Sequence, residues 1–175
     1  MANGRRLFLA LWPDPAVREA LARTAGQAHL ACHGRPVAPE HLHLTLAFLG
    51  RVHDARLASL VALTEAFPCP AEAFSLDRFG YFPRGGVLWL GSQAPTPRLT
   101  TLHHRLWQAL ACEGLSPPER TFLPHVTLLR HAVPPAPGAL PGIALNWHYT
   151  QLRLIESVIT EEGPRYEGLA TSASA

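Results

Sequence analysis

Lysine is absent from this 175-residue chain, whose 15 basic residues are all arginine. A Schiff-base lysine, a P-loop lysine and a lysine general base are therefore excluded. Cysteine is scarce: Cys32, Cys69 and Cys112 stand far apart with no C-x-x-C spacing. That excludes a disulfide framework and a zinc knuckle. Charge is sparse as well, at 16% of residues with a net +2, too little for a non-specific nucleic-acid coat. No apolar run approaches the ~20 residues of a membrane span. No signal-peptide h-region precedes the first strand-like segment. The expectation is a soluble, cytoplasmic, monomeric protein with reduced thiols and no membrane contact. A hydrophobic content of 47% implies an ordered core, in one domain or two intimate lobes.

The periodicity predicts an α+β chain. Residues 7–12 are an apolar run that reads as a buried strand. Asp14-Pro15 looks like an N-cap followed by proline in the first turn, opening a helix to about Ala28. A strand over 42–49 ends at Gly50, and an amphipathic helix spans 54–67. Strands over 74–81 and 87–90 flank the turn Pro83-Arg84-Gly85-Gly86. A third helix runs from Thr96-Pro97 to Gly114. Strands follow near 124–130, 146–160 and 165–169, with a surface loop at 133–141. Residues 1–170 are expected to be a single domain and 171–175 a frayed tail.

Two segments carry chemistry. His43-Leu44-Thr45-Leu46 and His125-Val126-Thr127-Leu128 lie 82 residues apart (125 − 43). In a strand, residues two apart share a face. Each segment therefore offers an imidazole beside a hydroxyl on one side and aliphatic side chains on the other. Two such strands across a cleft would set an acid–base pair and two hydroxyl donors around one small anion. Histidines near pKa 6.5 can hold opposite protonation states at neutral pH. Hydroxyls can donate to the non-bridging oxygens of a phosphate. In a chain with 10 histidines a single His-x-Thr arises easily by chance. A third match, His148-Tyr149-Thr150, lacks the apolar frame of the other two and is read as a decoy.

The longer context is more specific. The stretches 42–50 and 122–130 closely resemble the paired signatures of the two-histidine phosphoesterase superfamily, and within it the RNA 2′,3′-cyclic phosphodiesterases, formerly called 2′-5′ RNA ligases. Residues 6–11, 34–37, 82–91, Glu156-Ser157 and Pro164-Arg165-Tyr166 resemble further parts of that family. The resemblance implies a bilobal fold of two pseudo-symmetric lobes, each with an antiparallel sheet flanked by helices, and a cleft between the sheets. It implies His43 as general acid toward a leaving O3′, His125 as the base that activates water, and Thr45 and Thr127 as phosphate ligands. It implies an RNA or oligonucleotide bearing a 2′,3′-cyclic phosphate as substrate, a 2′-phosphate product, weak reverse ligation, and no metal or other cofactor. It further suggests that Phe48 and Arg130 sandwich the terminal base. The sequence alone leaves the acid and base roles exchangeable. It also leaves open another cyclic or 2′-5′ phosphodiester, a non-catalytic RNA-end binder and a metallohydrolase.

Phe48 and Arg130 each lie five residues after their histidine, on the opposite strand parity, which in a straight strand would bury them. A buried, unpaired arginine is costly, so each strand is expected to twist or end there. Arg84 could reach an RNA phosphate from its turn, and Tyr166 could line the cleft. His41 and His43 have a metal-ligand spacing but no third ligand. His103-His104 read as helix surface, and Trp89 and Trp107 as core. Ala47 stands where many relatives carry lysine, and His41 where asparagine is common.

Overall fold

The computed structural model describes residues 3–174. Its first strand, β1 (Gly4–Leu11), is apolar on both faces because both are covered. Leu7, Leu9 and Leu11 enter the main core. Phe8 and Ala10 form a smaller cluster with Ile155 on the opposite side. The Asp14 carboxylate accepts the Val17 N–H at 2.9 Å and starts α1 (Pro15–Cys32), with proline where no backbone donor is needed. This helix runs one turn beyond the expected end at Ala28 and stops where His33 and Gly34 take positive φ, 53° and 75°. The chain continues through β2 (Arg35–Pro36), β3 (Leu44–His53), α2 (Leu57–Ala66), β4 (Pro68–Cys69), β5 (Glu72–Leu76), β6 (Arg78–Phe82) and β7 (Val87–Gly91). Then come α3 (Pro97–Ala111), β8 (His125–Arg130), β9 (Leu145–Tyr149), β10 (Arg153–Thr160), β11 (Gly163–Thr171) and β12 (Ala173–Ser174).

The main sheet has the order β11-β10-β1-β3-β8-β7-β6, with β2 also on β8. All its pairs are antiparallel. It consists of two halves, β11-β10-β1-β3 and β8-β7-β6, joined through one registered pair, Leu44 with Val126. Those residues are again 82 positions apart, so a residue pairs with its own counterpart. An antiparallel pairing of equivalents is a local two-fold axis. The two lobes of this α+β fold are thus related about the Leu44–Val126 pair, and both side chains are fully buried.

The helices exchange lobes. The helix after β1 packs on β8, and the helix after β7 packs on β3. Leu21, Leu60, Leu99, Leu102 and Leu106 share one core with the leucines of β1, β3 and β7. At ~1.5–3 kcal/mol per buried aliphatic side chain, this face provides the cohesion. The motif histidines lie on the opposite face, the side of the Phe8, Ala10 and Ile155 cluster.

Three expectations change. The strand expected over 74–81 is split at Asp77, whose N–H donates to the Gly91 carbonyl at 2.8 Å. The strand expected over 146–160 is split at residues 150–152. In both cases the first piece pairs in a separate two-stranded sheet, β5 with β9, and the second joins the main sheet. Alternation alone does not reveal a change of partner. Thirdly, residues 171–174 are not a free end. Ser172 is buried and its Oγ accepts the Leu152 N–H at 2.9 Å, while β12 pairs in parallel with β4. Ala175 lies outside the described residues.

Gly80 is in register with Trp89, and a Cβ there would stand 1.9 Å from Trp89 Cζ2. Gly80→Ala should therefore cost about 1–3 kcal/mol through overpacking, read as a lower urea midpoint. Gly26→Ala, exposed in α1 with no atom within 4 Å of its Cβ, should be neutral or stabilising. Equal effects would mean that the Trp89 side chain does not fill the space over Gly80.

Candidate active site

His43 immediately precedes β3 and His125 begins β8, so the pair that joins the lobes sets both imidazoles beside the local axis. Each ring is fixed in the same way. His43 Nδ1–H donates to the carbonyl of His41 at 2.6 Å, and His125 Nδ1–H donates to the carbonyl of Leu123 at 2.7 Å. A carbonyl only accepts, so in each neutral ring the proton sits on Nδ1 and the lone pair on Nε2. Nε2 of His43 approaches Thr45 Oγ1 at 3.1 Å. Among the described residues no such bond joins His125 to Thr127. The two halves are alike in scaffold and different in detail.

A bulge in each strand resolves the parity problem of Phe48 and Arg130. Thr45 pairs with Ala10 but Ala47 pairs with Leu9, so Leu46 is an extra residue in β3. Thr127 pairs with Trp89 but Leu129 pairs with Leu88, so Leu128 is an extra residue in β8. The bulges occupy equivalent positions (46 + 82 = 128). Each reverses the alternation once. Leu46 and Ala47 are buried while Phe48 is 50% exposed, and Phe48 lies opposite Phe8, on the histidine side. Leu128 and Leu129 are likewise buried and Arg130 is exposed. The sequence leads to a twist or a strand end; the structure supplies an added residue.

The walls are aromatic and differ between the lobes. Trp12 stacks flat on His43, with ring centroids 4.8 Å apart and planes 8° from parallel, and its Nε1–H donates to the Glu40 carbonyl at 3.3 Å. Phe8 lies 5.0 Å from the His43 ring and Tyr166 meets it edge-on at 5.6 Å. His125 is walled by Phe82, edge-on at 5.3 Å, and by Trp89 at 5.7 Å. Trp107 is core as expected. Trp89 is buried too, but on the cleft face, where it serves the site. Trp12, Phe8 and Phe82 are site residues that the sequence reading missed. Their signal is faint: they share strand parity with residues opposite the motifs, which requires knowing the register.

This enclosure decides the protonation states. Burial pushes His43 down to about 4, against the opposing pull of the His41 carbonyl, and charge on Arg130, His41 or His125 lowers it further. His125 is lowered from its ordinary value for the same first reason, burial, with Arg120 and Arg130 adding to it. Both rings are thus neutral at pH 7 in the free protein, rather than in opposite states near 6.5 as the sequence suggests. Burial also raises Tyr166, while Arg130 and Arg6 pull it the other way.

The other candidates separate clearly. Tyr166 touches His41 (4.5 Å), Phe8, Trp12 and His43. Arg84 is exposed in its turn, which is tied to the end of β8 by hydrogen bonds from the His131 and Ala132 N–H groups to Gly85 and Gly86. His148 lies in β9, in the separate two-stranded sheet, with Nε2 3.2 Å from Asn146 Nδ2. His103 is not helix surface: its ring stacks on Phe122 at 3.9 Å, half-buried, and only His104 is exposed. Among the described residues no three His, Cys, Asp or Glu side chains converge as a metal-ligand set.

Comparison with known proteins gives a consistent picture. Residues 11–89 match the model of the family described as LigT like phosphoesterase. The RNA 2′,3′-cyclic phosphodiesterase of Escherichia coli K12 is 34% identical over 171 residues, covering 97% of this chain and 96% of that protein. The crystal structure of E. coli LigT in apo form superposes with a TM-score of 0.82 at 32% identity, covering 96% of each chain. E. coli LigT complexed with 3′-AMP superposes with a TM-score of 0.82 at 32% identity, covering 97% of each chain.

His43 should be neutral with its proton on Nδ1 at pH 7 and should titrate near 4, as read from long-range ¹H–¹⁵N correlations. Trp12→Ala admits water and should move that titration up toward 6.5. Because the folded value lies below the unfolded one, the unfolded chain binds more protons between pH 6.5 and 4. Stability from this group should therefore fall as pH drops through that window. A wild-type His43 titrating at 6.5 would contradict the enclosure.

Proposed function

This chain belongs to the LigT-like phosphoesterase family, and we propose that it is an RNA 2′,3′-cyclic phosphodiesterase, opening terminal cyclic phosphates to 2′-phosphates. The observation that carries the reading is the pair of histidines whose Nδ1–H groups are both held on the carbonyl two residues back, which leaves the lone pair of each neutral ring on Nε2, with Thr45 Oγ1 beside that of His43. Hydrolysis in line needs a base on the water side and an acid on the leaving-oxygen side. A locked Nδ1–H leaves one working nitrogen per ring, so neither imidazole can turn its donor away.

His125 Nε2, neutral and basic, takes the proton of the attacking water. The water oxygen bonds to phosphorus as the P–O3′ bond breaks. His43 Nε2–H delivers its proton to O3′, leaving the phosphate on O2′. Thr45 and Thr127 donate to the non-bridging oxygens, where charge redistributes in the transition state. His43 must be charged to act as the acid, although burial holds it near 4 in the free protein. The phosphodiester anion favours the imidazolium, so substrate binding raises His43 and arms it. No metal or organic cofactor enters these steps.

Phe48 and Arg130 offer planar faces for the terminal base, since an aromatic ring and a guanidinium stack on any base. Tyr166 supports the base-side wall, and Arg84 stands at the end of the hairpin as a weaker phosphate contact. Among the described residues no helix is long and apolar enough to cross a membrane. The three thiols are unpaired, which suits a reducing compartment such as the cytoplasm.

A short RNA ending in a 2′,3′-cyclic phosphate, incubated in excess EDTA, should yield the 2′-phosphate. His43→Ala and His125→Ala should each lower kcat by about 10²- to 10⁴-fold, while His148→Ala leaves it unchanged. No turnover by the wild type would overturn the reading. The kcat/KM profile should be bell-shaped with its maximum below pH 6.5, because burial lowers both free-protein values. The kcat profile should reach to higher pH, since bound phosphate raises His43. A kcat/KM still climbing at pH 8 would exclude this pair as acid and base.

A further inference from the structure

The cleft face of β1 and β3 is ordered in rows. Outward from the axis, Thr45 lies opposite Ala10, Phe48 opposite Phe8, and Arg51 opposite Arg6. The sequence of rows is phosphate site, aromatic platform, paired cations. Like charges directly opposite one another destabilise a strand pair. Nevertheless, among the described residues neither Arg6 nor Arg51 has a carboxylate at ion-pair distance, whereas Arg5, Arg23, Arg98 and Arg165 each do. Both are exposed. Arg6 lies over the Phe48 ring at 5.1 Å, and Arg51 donates only to the Gly4 carbonyl at 3.3 Å. The pair therefore keeps most of its donors for something outside the protein.

We propose that Arg6 and Arg51 form a phosphate-binding site for the RNA chain upstream of the reacting nucleotide. The inference rests on the phosphodiesterase reading and extends it from the end group to the strand. The cation row lies about 13 Å along β1 from Ala10, four residues at ~3.3 Å each. It is one row beyond the platform that a terminal base on Phe48 would occupy. A mononucleotide ends before this row, and a longer strand carries a phosphate into it. Two guanidinium groups side by side can each make bidentate bonds to that phosphate. Their mutual repulsion in the free protein is relieved when the anion arrives. Another cross-strand arginine pair, Arg35 opposite Arg130, lies on the other side of the axis and supplies the comparison.

The experiment compares a nucleoside 2′,3′-cyclic monophosphate with a trinucleotide carrying the same end. Arg51→Ser should lower kcat/KM for the trinucleotide roughly 3- to 10-fold through KM. It should leave kcat and all values for the monophosphate unchanged, and Arg51→Lys should retain most of the wild-type value. The log–log salt dependence of trinucleotide binding should lose about 0.7 in slope. Equal loss on both substrates, loss on neither, or loss produced by Arg35→Ser in place of Arg51→Ser would overturn the proposal. If the wild type cleaves neither substrate, the phosphodiesterase reading fails by itself. Anisotropy with a labelled trinucleotide then still decides the arginine site, which is refuted if Arg51→Ser binds like the wild type.

Discussion

One pairing organises the molecule: Leu44 lies opposite Val126, each the other's counterpart in the duplicated plan. Because the strands are antiparallel, the pairing of equivalents generates the two-fold relation between lobes. Because the pair is fully buried, it is held by the same core that receives α1 and α3 from opposite lobes. The residue before Leu44 is one catalytic candidate, and the residue before Val126 is the other. The imidazoles are thus placed by backbone pairing at the base of the cleft. The carbonyls of His41 and Leu123, also 82 residues apart (123 − 41), then fix the ring tautomers. No loop has to close to create the arrangement.

The bulges at Leu46 and Leu128 are the second consequence of the duplicated plan. Each strand has two tasks that conflict in a straight ribbon: it must turn the hydroxyl of Thr45 or Thr127 to the cleft, and three residues on it must do the same for Phe48 or Arg130. A period of two cannot serve an interval of three. One unpaired residue between hydroxyl and platform, Leu46 in β3 and Leu128 in β8, reconciles them, and β3 has a second bulge at Leu49.

These features divide by how locally they are encoded. The α+β order, the N-cap at Asp14 and the two motif strands are written in adjacent residues, and the sequence displays them. The resemblance to a known family carried the two-lobe plan. The parity of Phe48 and Arg130 showed that something must happen to each strand, but a bulge is a property of two strands, and only the partner's register reveals it. The same holds for Asp77: the alternation changes phase at Asp77-Arg78, from Phe74 and Leu76 to Phe79 and Tyr81, but only the pairing shows that the two pieces belong to different sheets. It holds also for Trp12, whose stacking on His43 follows from lying beside it across β1 and β3. The helical pattern puts His103-His104 on the surface; Phe122, from a loop nineteen residues later (122 − 103), covers His103. Ser172 draws the end of the chain inward through a hydrogen bond to a backbone group twenty residues away.

The unequal surroundings of the two histidines give a physical basis for unequal roles. His43 is walled by Trp12, Phe8 and Tyr166, and burial takes it to about 4. His125 has an aromatic ring on two sides and is lowered less decisively. A base for water must be neutral and reachable by water, and the more open ring meets both conditions. An acid must be charged only when a leaving oxygen is present. In an enclosed pocket the imidazolium is disfavoured until an anion replaces the lost solvation, so in the proposed reaction the proton is acquired with the substrate. Swapping the roles would give the enclosed ring the task of reaching water and give the open ring an acid that bulk solvent already satisfies. The halves share a scaffold, and in the proposed reaction the aromatic residues that break its symmetry would separate donor from acceptor.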